Sequence, residues 1–505
     1  MRVLDLLVIV VYLIVIATIG LRISGKQRSA ADYFVSERNL SWWAVCFSIV
    51  ATETSTLTVI SVPGVAYLGA WGFVELGIGY IIGRTFVAFV MLPLYMRGDL
   101  VSAYQYLGLR FGPKVQGLAS VTFLVTRLLA EGVRLFAGAI PIALLLAGMG
   151  VHVGYLEIIV VLAGITVAYT YAGGIRAVVW TDAIQMMLYV GGAVLSIVIL
   201  LGHVPLSSLH SALAAGKLQV FDFHANVLTS PFAFIAAILG GAAFTMASHG
   251  ADQLMVQRIL SCRNLADGRK AVIGSGIFVT FQFALFSMVG TLLWLHWGGR
   301  TPAQLGLATS DQLFPEFILR DLPPGVSGLL IAGILGATMG SLSSAINSMS
   351  NSTITDLVRL FGRREYADRT MLRISRIATL AWGGALVGFA SMFTRTDDPV
   401  VVLGLSITGY TYGALLGAFL LGLWVRRANQ RDGAVAFIAT LVIMAAIVLG
   451  VRIDGKPLAF PWYVPIGVAV TLLVGALLSF LHPAAGPQPI GDGRSSPSTE
   501  TERVP

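Results

Sequence analysis

The sequence predicts an all-α polytopic membrane protein, and three observations carry that prediction. The 505 residues are 56% hydrophobic and only 11% charged, with a mean hydropathy of +0.83. Water-soluble domains carry about 25% charged residues. Apolar stretches of about 20 residues, enough for a helix to cross a ~30 Å hydrocarbon core, recur along almost the whole chain. Lys and Arg fall in alternate connections and leave the others nearly bare, the asymmetry that marks cytoplasmic loops. The net charge of +8 therefore belongs to loops facing the cytoplasm and does not point to nucleic acid.

Taken in order, thirteen transmembrane helices are expected, at about 3–22, 41–68, 72–97, 114–148, 153–172, 178–202, 229–250, 270–297, 325–358, 373–394, 398–425, 432–451 and 462–481. The first follows Met-Arg directly, with neither a basic leader nor an Ala-x-Ala site, so it reads as a retained span and not a cleaved signal. Basic residues cluster after it (Arg22, Lys26, Arg28, Arg38), near Arg97 and Lys114, at Arg176, around Arg258 to Lys270, from Arg359 to Arg376 and at Arg426 to Arg431. That pattern puts the N-terminus outside the cell membrane and the C-terminus in the cytoplasm. The Pro-, Gly-, Ser- and Thr-rich tail from His482 is expected to be disordered. Cys46 and Cys262 lie in or near spans and imply no disulfide framework.

Two spans look interrupted. The second contains Ala51-Thr52-Glu53-Thr54-Ser55-Thr56 and then Pro63-Gly64; the seventh ends in Ser248-His249-Gly250-Ala251-Asp252-Gln253. Polar breaks at corresponding places in two halves suggest a 5+5 inverted repeat with the substrate site at the breaks. Unwound backbone there frees carbonyls for a cation, which membranes tolerate only around a cavity. Pro and Gly kinks are also ordinary in membrane helices. The division that follows is first span and cytoplasmic loop (1–40), first repeat (41–202), extracellular connection (203–228), second repeat (229–425), two C-terminal spans (426–481) and tail (482–505).

The ninth span, around Gly333–Asp356, carries Thr338, Ser341, Ser343, Ser344, Asn347 and Ser348. Ser341, Ser344 and Ser348 stand at i, i+3, i+7 and share one face. Such a face either packs helices closely through small residues or supplies oxygen ligands to a hard cation. In the fourth span Arg127, Glu131 and Arg134 also share a face. They either form an internal salt bridge or leave Arg134 to grip a substrate carboxylate with its planar fork. Arg84 is a further charge in a span. No HExxH, GxSxG or cofactor motif is present, so the chain reads as no enzyme; nor does it carry the repeated filter of a channel.

Longer motifs tie these features together: Ser102-Ala103-Tyr104-Gln105-Tyr106-Leu107 before Arg110-Phe111-Gly112; Tyr169 to Gly174 and then Trp180-Thr181-Asp182-Ala183-Ile184-Gln185; Asp252-Gln253 with Val256-Gln257-Arg258; and the serine span. In these the chain resembles the sodium:solute symporter family, which includes sodium-coupled glucose, proline, sialic acid and monocarboxylate carriers. The resemblance implies a leucine-transporter-type inverted repeat, alternating access, and symport of a small organic solute with Na+, with membrane lipid as the surroundings. It implies a first sodium site at the carbonyls of Ala51, Thr54 and Ala337 and the Ser341 hydroxyl, where Gly340 replaces a second hydroxyl of the relatives. It implies a second at Asp182 with Ser341, Ser343 and Ser344, hence two sodium ions; alternatively Asp182 caps a helix start. The substrate would lie near Glu53, Ser55, Thr56, Tyr67, Arg134, Thr245, Ser248 and His249, with Tyr410 or Tyr412 as gate or wall. Sugar carriers of the family have an acidic residue near the position of Gly77 and aromatic residues near Ser248-His249; both are missing here. The expected solute therefore bears a carboxylate: an organic acid, amino acid or sialic-acid-like compound. The alternative is a proton- or single-sodium-coupled carrier of a neutral sugar or polyol.

Overall fold

The computed structural model describes residues 2–23, 40–97, 100, 102–358, 368–393 and 399–482. Among these the strands are one two-residue hairpin, β1 (Arg452–Ile453) antiparallel to β2 (Lys456–Pro457). Its turn is Asp454-Gly455, both at positive φ (51° and 77°), the geometry an Asp-Gly hairpin turn requires. The remaining regular structure is helical. α1 spans Arg2–Ile23. α2 (Trp42–Glu53) and α3 (Thr56–Leu68) are two halves of one span bent by 62°. α4 (Gly72–Phe86) runs on through a π turn, Val87–Met91. The short α5 (Ala103–Phe111) starts in a reciprocal capping box between Ser102 and Gln105. α6 (Pro113–Gly148) and α7 (Tyr155–His203) are long. α8 (Gly241–Gly250) and α9 (Gln253–Ile259) are separated by Ala251 and Asp252, and Asp252 caps α9. Then come α10 (Leu265–His296), α11 (Leu313–Asp321), α12 (Val326–Ser352), α13 (Asp368–Ala390), α14 (Val400–Trp424), α15 (Gln430–Gly450) and α16 (Tyr463–Phe480).

The expectation of thirteen transmembrane helices in a leucine-transporter-type 5+5 inverted repeat is corrected. Among the described residues eight helices are long and apolar enough to cross a membrane, nine if the bent α2–α3 pair is one span. Counting every apolar stretch as a span overcounts for physical reasons. Of the stretches expected at 153–172 and 178–202, both within α7, the second qualifies as Thr181–His203 and the first is a shorter apolar segment, Tyr155–Tyr171. The expected span at 229–250 is helical only from residue 234, running through a π turn at Ala236–Gly240 into α8, which ends at Gly250. That run rises about 25 Å, short of a ~30 Å hydrocarbon core. The apolar part of α1 is only Val3–Ile19. The expected tail, from 483 on, lies outside the described residues, as do the basic segments at 24–39 and 359–367.

α12 is the axis of the bundle. In its apolar window 94% of residues are buried within the protein, against 28% for α15 and 33% for α16, which leave most of their surface to lipid. A helix enclosed by protein can carry hydroxyls when they find partners, and several bond back one turn: Ser341 Oγ donates to Ala337 O (2.9 Å), Ser348 Oγ to Ser344 O (2.9 Å) and Ser350 Oγ to Ile346 O (2.7 Å). Its glycines let α7 and α1 approach; a Cβ at Gly336 would run into the Tyr12 hydroxyl and the Gln185 side chain. α1 is fastened through Asp5, whose Oδ1 accepts from Gly325 N (2.7 Å), Ser327 Oγ (2.7 Å) and Gly328 N (2.9 Å). This carboxylate satisfies free N–H groups at the positive end of α12 from another helix.

Candidate functional site

Where α2 gives way to α3, Ser55 adopts extended backbone (φ −89°, ψ 178°) and the helix axis turns. Beside that break lies a cavity walled by α2, α3, α4, α6, α8, α9, α10 and α14. Its polar lining includes Glu53, Ser55, Arg134, Ser248 and His249; its apolar wall includes Phe73, Tyr80, Phe244 and Phe283. The rings support one another: Tyr80 stacks on Phe244 (centroids 6.2 Å apart), and Phe73 lies 5.4 Å from Phe283.

Charges meet the cavity in compensated sets. Arg84 is fully buried and pairs with Glu53, while donating to Ser275 Oγ (2.7 Å) and Thr245 Oγ1 (3.2 Å). His249 Nδ1 lies 2.8 Å from Ser248 Oγ; its Nε2, 3.7 Å from Glu53 Oε2, has no hydrogen-bond partner. Arg127 pairs with Asp252 (2.6 Å), and Tyr412 Oη donates to the same Asp252 oxygen (2.9 Å). Glu131 Oε1 then joins Arg127 (3.4 Å) to Arg134 (2.6 Å). An unpaired charge at this depth would be costly, and the alternation removes that cost. The internal salt bridge weighed from sequence is therefore present on both sides of Glu131, yet Arg134 still lines the cavity. Its side chain is 17% exposed, and its Nε is buried without a partner.

The residues expected to hold sodium gather where the α2–α3 break meets α12. Thr56 Oγ1 bonds to Thr338 Oγ1 and donates to Ile334 O (3.1 Å), setting the break one turn from Ala337 and Ser341. Ala51 and Thr54 are buried in the same segment, and the Thr54 hydroxyl bonds to Gln282. Asp182 lies inside α7, whose N-cap is Gly154, so it caps no helix start. Its Oδ2 faces Thr52 Oγ1 (3.4 Å), Ser344 Oγ (3.4 Å) and Arg258 (3.6 Å), and Arg258 also bonds Ser344. Ser343 points elsewhere, donating to Gly340 O (3.0 Å).

Other expected residues sit apart from the cavity. Tyr67 Oη donates to Arg300 O (2.5 Å), and the Tyr410 ring packs on Tyr463 (5.4 Å). Thr245 stands behind the lining, between Arg84 and His249 (3.2 Å to each). The sequence reading assigned no role to Gln185, Asp252, Arg258 or Gln282. The first three stand in the motifs quoted above, so the signal was there, without a partner to give it meaning. The bundle is cross-tied through Asp356, which accepts from Ser102 Oγ (2.9 Å), Gln116 Nε2 (3.0 Å) and Ser352 Oγ (2.9 Å). Gln253 Oε1 accepts from Ala103 N (2.8 Å), so α5 bolts α6, α9 and the end of α12 together.

Comparison with known proteins adds to this geometry. The profile described as Sodium:solute symporter family matches residues 33–442. The sodium/sialic acid symporter SiaT of Proteus mirabilis (strain HI4320) is 26% identical over 504 residues, covering 96% of each chain. The sodium/iodide cotransporter of Homo sapiens is 28% identical over 432 residues, 84% of this chain and 66% of that one. Among solved structures, a substrate-bound outward-open Na+-coupled sialic acid symporter superposes with a TM-score of 0.83 at 25% identity, over 96% of this chain and 99% of that one. Mhp1, a nucleobase-cation-symport-1 family transporter in a closed conformation, gives 0.57 at 12% identity, over 91% and 95% of the two chains, a likeness of fold alone. The architecture is thus that of the sialic acid symporter along nearly its whole length, and this replaces the thirteen-helix, leucine-transporter-type 5+5 frame.

Proposed function

The chain belongs to the sodium:solute symporter family, and from that premise we propose that its cavity takes a small carboxylate-bearing solute of the sialic-acid or monocarboxylate kind, together with two sodium ions. As a member it is a multi-pass membrane protein and a secondary active transporter, using Na+ as the co-transported ion and alternating access as the mechanism. Arg134 carries the reading of the solute. Glu131 holds one end of its guanidinium, Nε has no partner among the described residues, and the residue lines the cavity. The Nε edge suits a carboxylate, which accepts two parallel N–H bonds. The aromatic wall of Phe73, Tyr80, Phe244 and Phe283 suits the carbon skeleton of such a solute. The sialic acid symporters and monocarboxylate transporters among the relatives support the same class.

One sodium ion is assigned to Ala51, Thr54, Ala337 and Ser341, and a second to Asp182 with Ser341 and Ser344, the Ser343 hydroxyl expected alongside them being turned to Gly340 O. The support is local: a broken helix that frees carbonyls, beside a hydroxyl-rich span, and a carboxylate enclosed by protein. Each sodium entering at 100 mV contributes about 2.3 kcal/mol from the membrane potential. The N-terminus is assigned to the outside and the C-terminus to the cytoplasm.

The test is initial uptake of labelled sialic acid, lactate, proline and glucose into proteoliposomes with sodium or choline outside. Sodium-dependent, electrogenic uptake of a carboxylate solute is expected. Uptake that persists in choline and follows a pH gradient, or that favours glucose, overturns the reading.

A further inference from the structure

Glu53 and His249, both in the cavity lining, belong to a buried set that also holds Arg84, Thr245 and Ser248. The set fixes which imidazole nitrogen carries the hydrogen. Arg84 Nε donates to Thr245 Oγ1 (3.2 Å), which leaves the threonine's own hydrogen to be donated onward. His249 Nδ1 lies 3.2 Å from that oxygen and 2.8 Å from Ser248 Oγ, and it accepts from hydroxyls there. Nor does charge call for a second ring hydrogen. Arg84 already compensates Glu53, and Arg127, Asp252, Glu131 and Arg134 balance one another, so an imidazolium would leave one positive charge in excess. The imidazole is therefore neutral, with its hydrogen on Nε2. That N–H is buried and has no hydrogen-bond partner among the described residues. Glu53 Oε2 is 3.7 Å away, too far for a hydrogen bond, and is held by Arg84.

A buried donor this close to a carboxylate requires an explanation, since buried polar atoms are almost always partnered. The two groups are satisfied together by one oxygen that accepts from Nε2–H and donates to Glu53. A hydroxyl does both. An ammonium only donates and would meet the imidazole hydrogen; a carboxylate only accepts and would meet the charge of Glu53; a methylene does neither. Resting on the reading that the cavity takes a carboxylate-bearing solute, we propose that Glu53 and His249 form a subsite for a hydroxyl of that solute. The substrate class is then the hydroxylated carboxylic acids, not the unsubstituted monocarboxylates or the amino acids. Arg134 takes the carboxylate, the aromatic wall the carbon skeleton, and the Glu53–His249 pair the hydroxyl. Glu53 is 17% exposed and His249 only 1%, so the pair is approached through its carboxylate. Thr245, Ser248 and Arg84 are positioning residues, the first two holding the tautomer of His249 and the third holding Glu53. A buried site built to bond a hydroxyl discriminates strongly, because an analogue lacking it leaves the donor and the acceptor unpaired.

The experiment is sodium-driven uptake by the full-length protein in proteoliposomes, with choline controls subtracted, for acids matched in carbon skeleton. Lactate is compared with propionate and alanine, and gluconate with hexanoate. At least one hydroxylated acid is expected to exceed its matched partners by about 100-fold or more in the ratio of maximal rate to KM. His249→Gln, whose amide nitrogen reaches the place of Nε2, is expected to keep that preference. His249→Asn, whose amide reaches only the place of Nδ1, is expected to bring it below about tenfold. The preference is a ratio within each variant, so a partly folded variant, which lowers uptake of both acids alike, does not imitate its loss. Equal uptake of hydroxylated and plain acids by wild type overturns the inference, as does a preference for alanine or an equal preference in His249→Gln and His249→Asn. Sodium-driven uptake of glucose with none of any acid overturns the carboxylate reading beneath it.

Discussion

Replacing Arg134 by Lys keeps the charge and removes the fork. In the structure Glu131 Oε1 holds Arg134 Nη1 at 2.6 Å, and Nε has no partner. A carboxylate on the free edge gains two charge-assisted hydrogen bonds; a lysine shared with Glu131 offers at most one in good geometry. A hydrogen bond to a charged group is worth about 1.5–3 kcal/mol, and the side chain is only 17% exposed, so screening takes away little of it. At about 1.4 kcal/mol per decade the loss amounts to roughly 10- to 150-fold in affinity. The expected outcome for Arg134→Lys is a rise of that size in KM for a carboxylate solute, with a smaller change in maximal rate. The assay is the initial rate of sodium-driven uptake in proteoliposomes, with the acid and with its neutral amide. The amide cannot use the fork in the same way, so its KM should move much less. Equal loss for acid and amide, or an unchanged KM for the acid, would show that Arg134 serves only its bridge to Glu131.

Asp182→Asn should lower the Hill coefficient of the sodium dependence towards one; uptake curves that superimpose on wild type after normalising to maximal rate would exclude a sodium at Asp182. Asp252→Asn should destabilise the protein by about 3–5 kcal/mol, because Arg127 is then left buried without its main counter-charge. The double variant Arg127→Met with Asp252→Leu should lose less than the sum of the single changes in thermal unfolding, and additive losses would mean that the two do not act as a pair. Asp5→Ala should cost about 1–2 kcal/mol, the worth of a helix cap; it should lower the unfolding temperature while leaving the sodium affinity of the folded protein unchanged.

What the sequence by itself determined is what local chemistry carries. Hydropathy placed the chain in a membrane, and the apolar runs located most helices. The polar interruptions at Glu53–Ser55 and Gly250–Gln253 marked both breaks, because a helix cannot bury carboxylates and free backbone in lipid without a cavity beside them. The hydroxyls of α12 were legible as a buried polar face through their spacing alone. The tertiary structure decided what depends on partners far apart in the chain. That 153–172 and 178–202 run on as one helix is not written in their hydropathy. Arg127 has a nearby carboxylate at Glu131, yet its closer ion pair is with Asp252, 125 residues away. Arg258, on α9, lies 3.6 Å from Asp182, on α7. A charge in a span announces that it must be compensated; which side chain compensates it is set by how the helices pack, since desolvated charges accept whichever opposite partner the packing brings within a few ångströms.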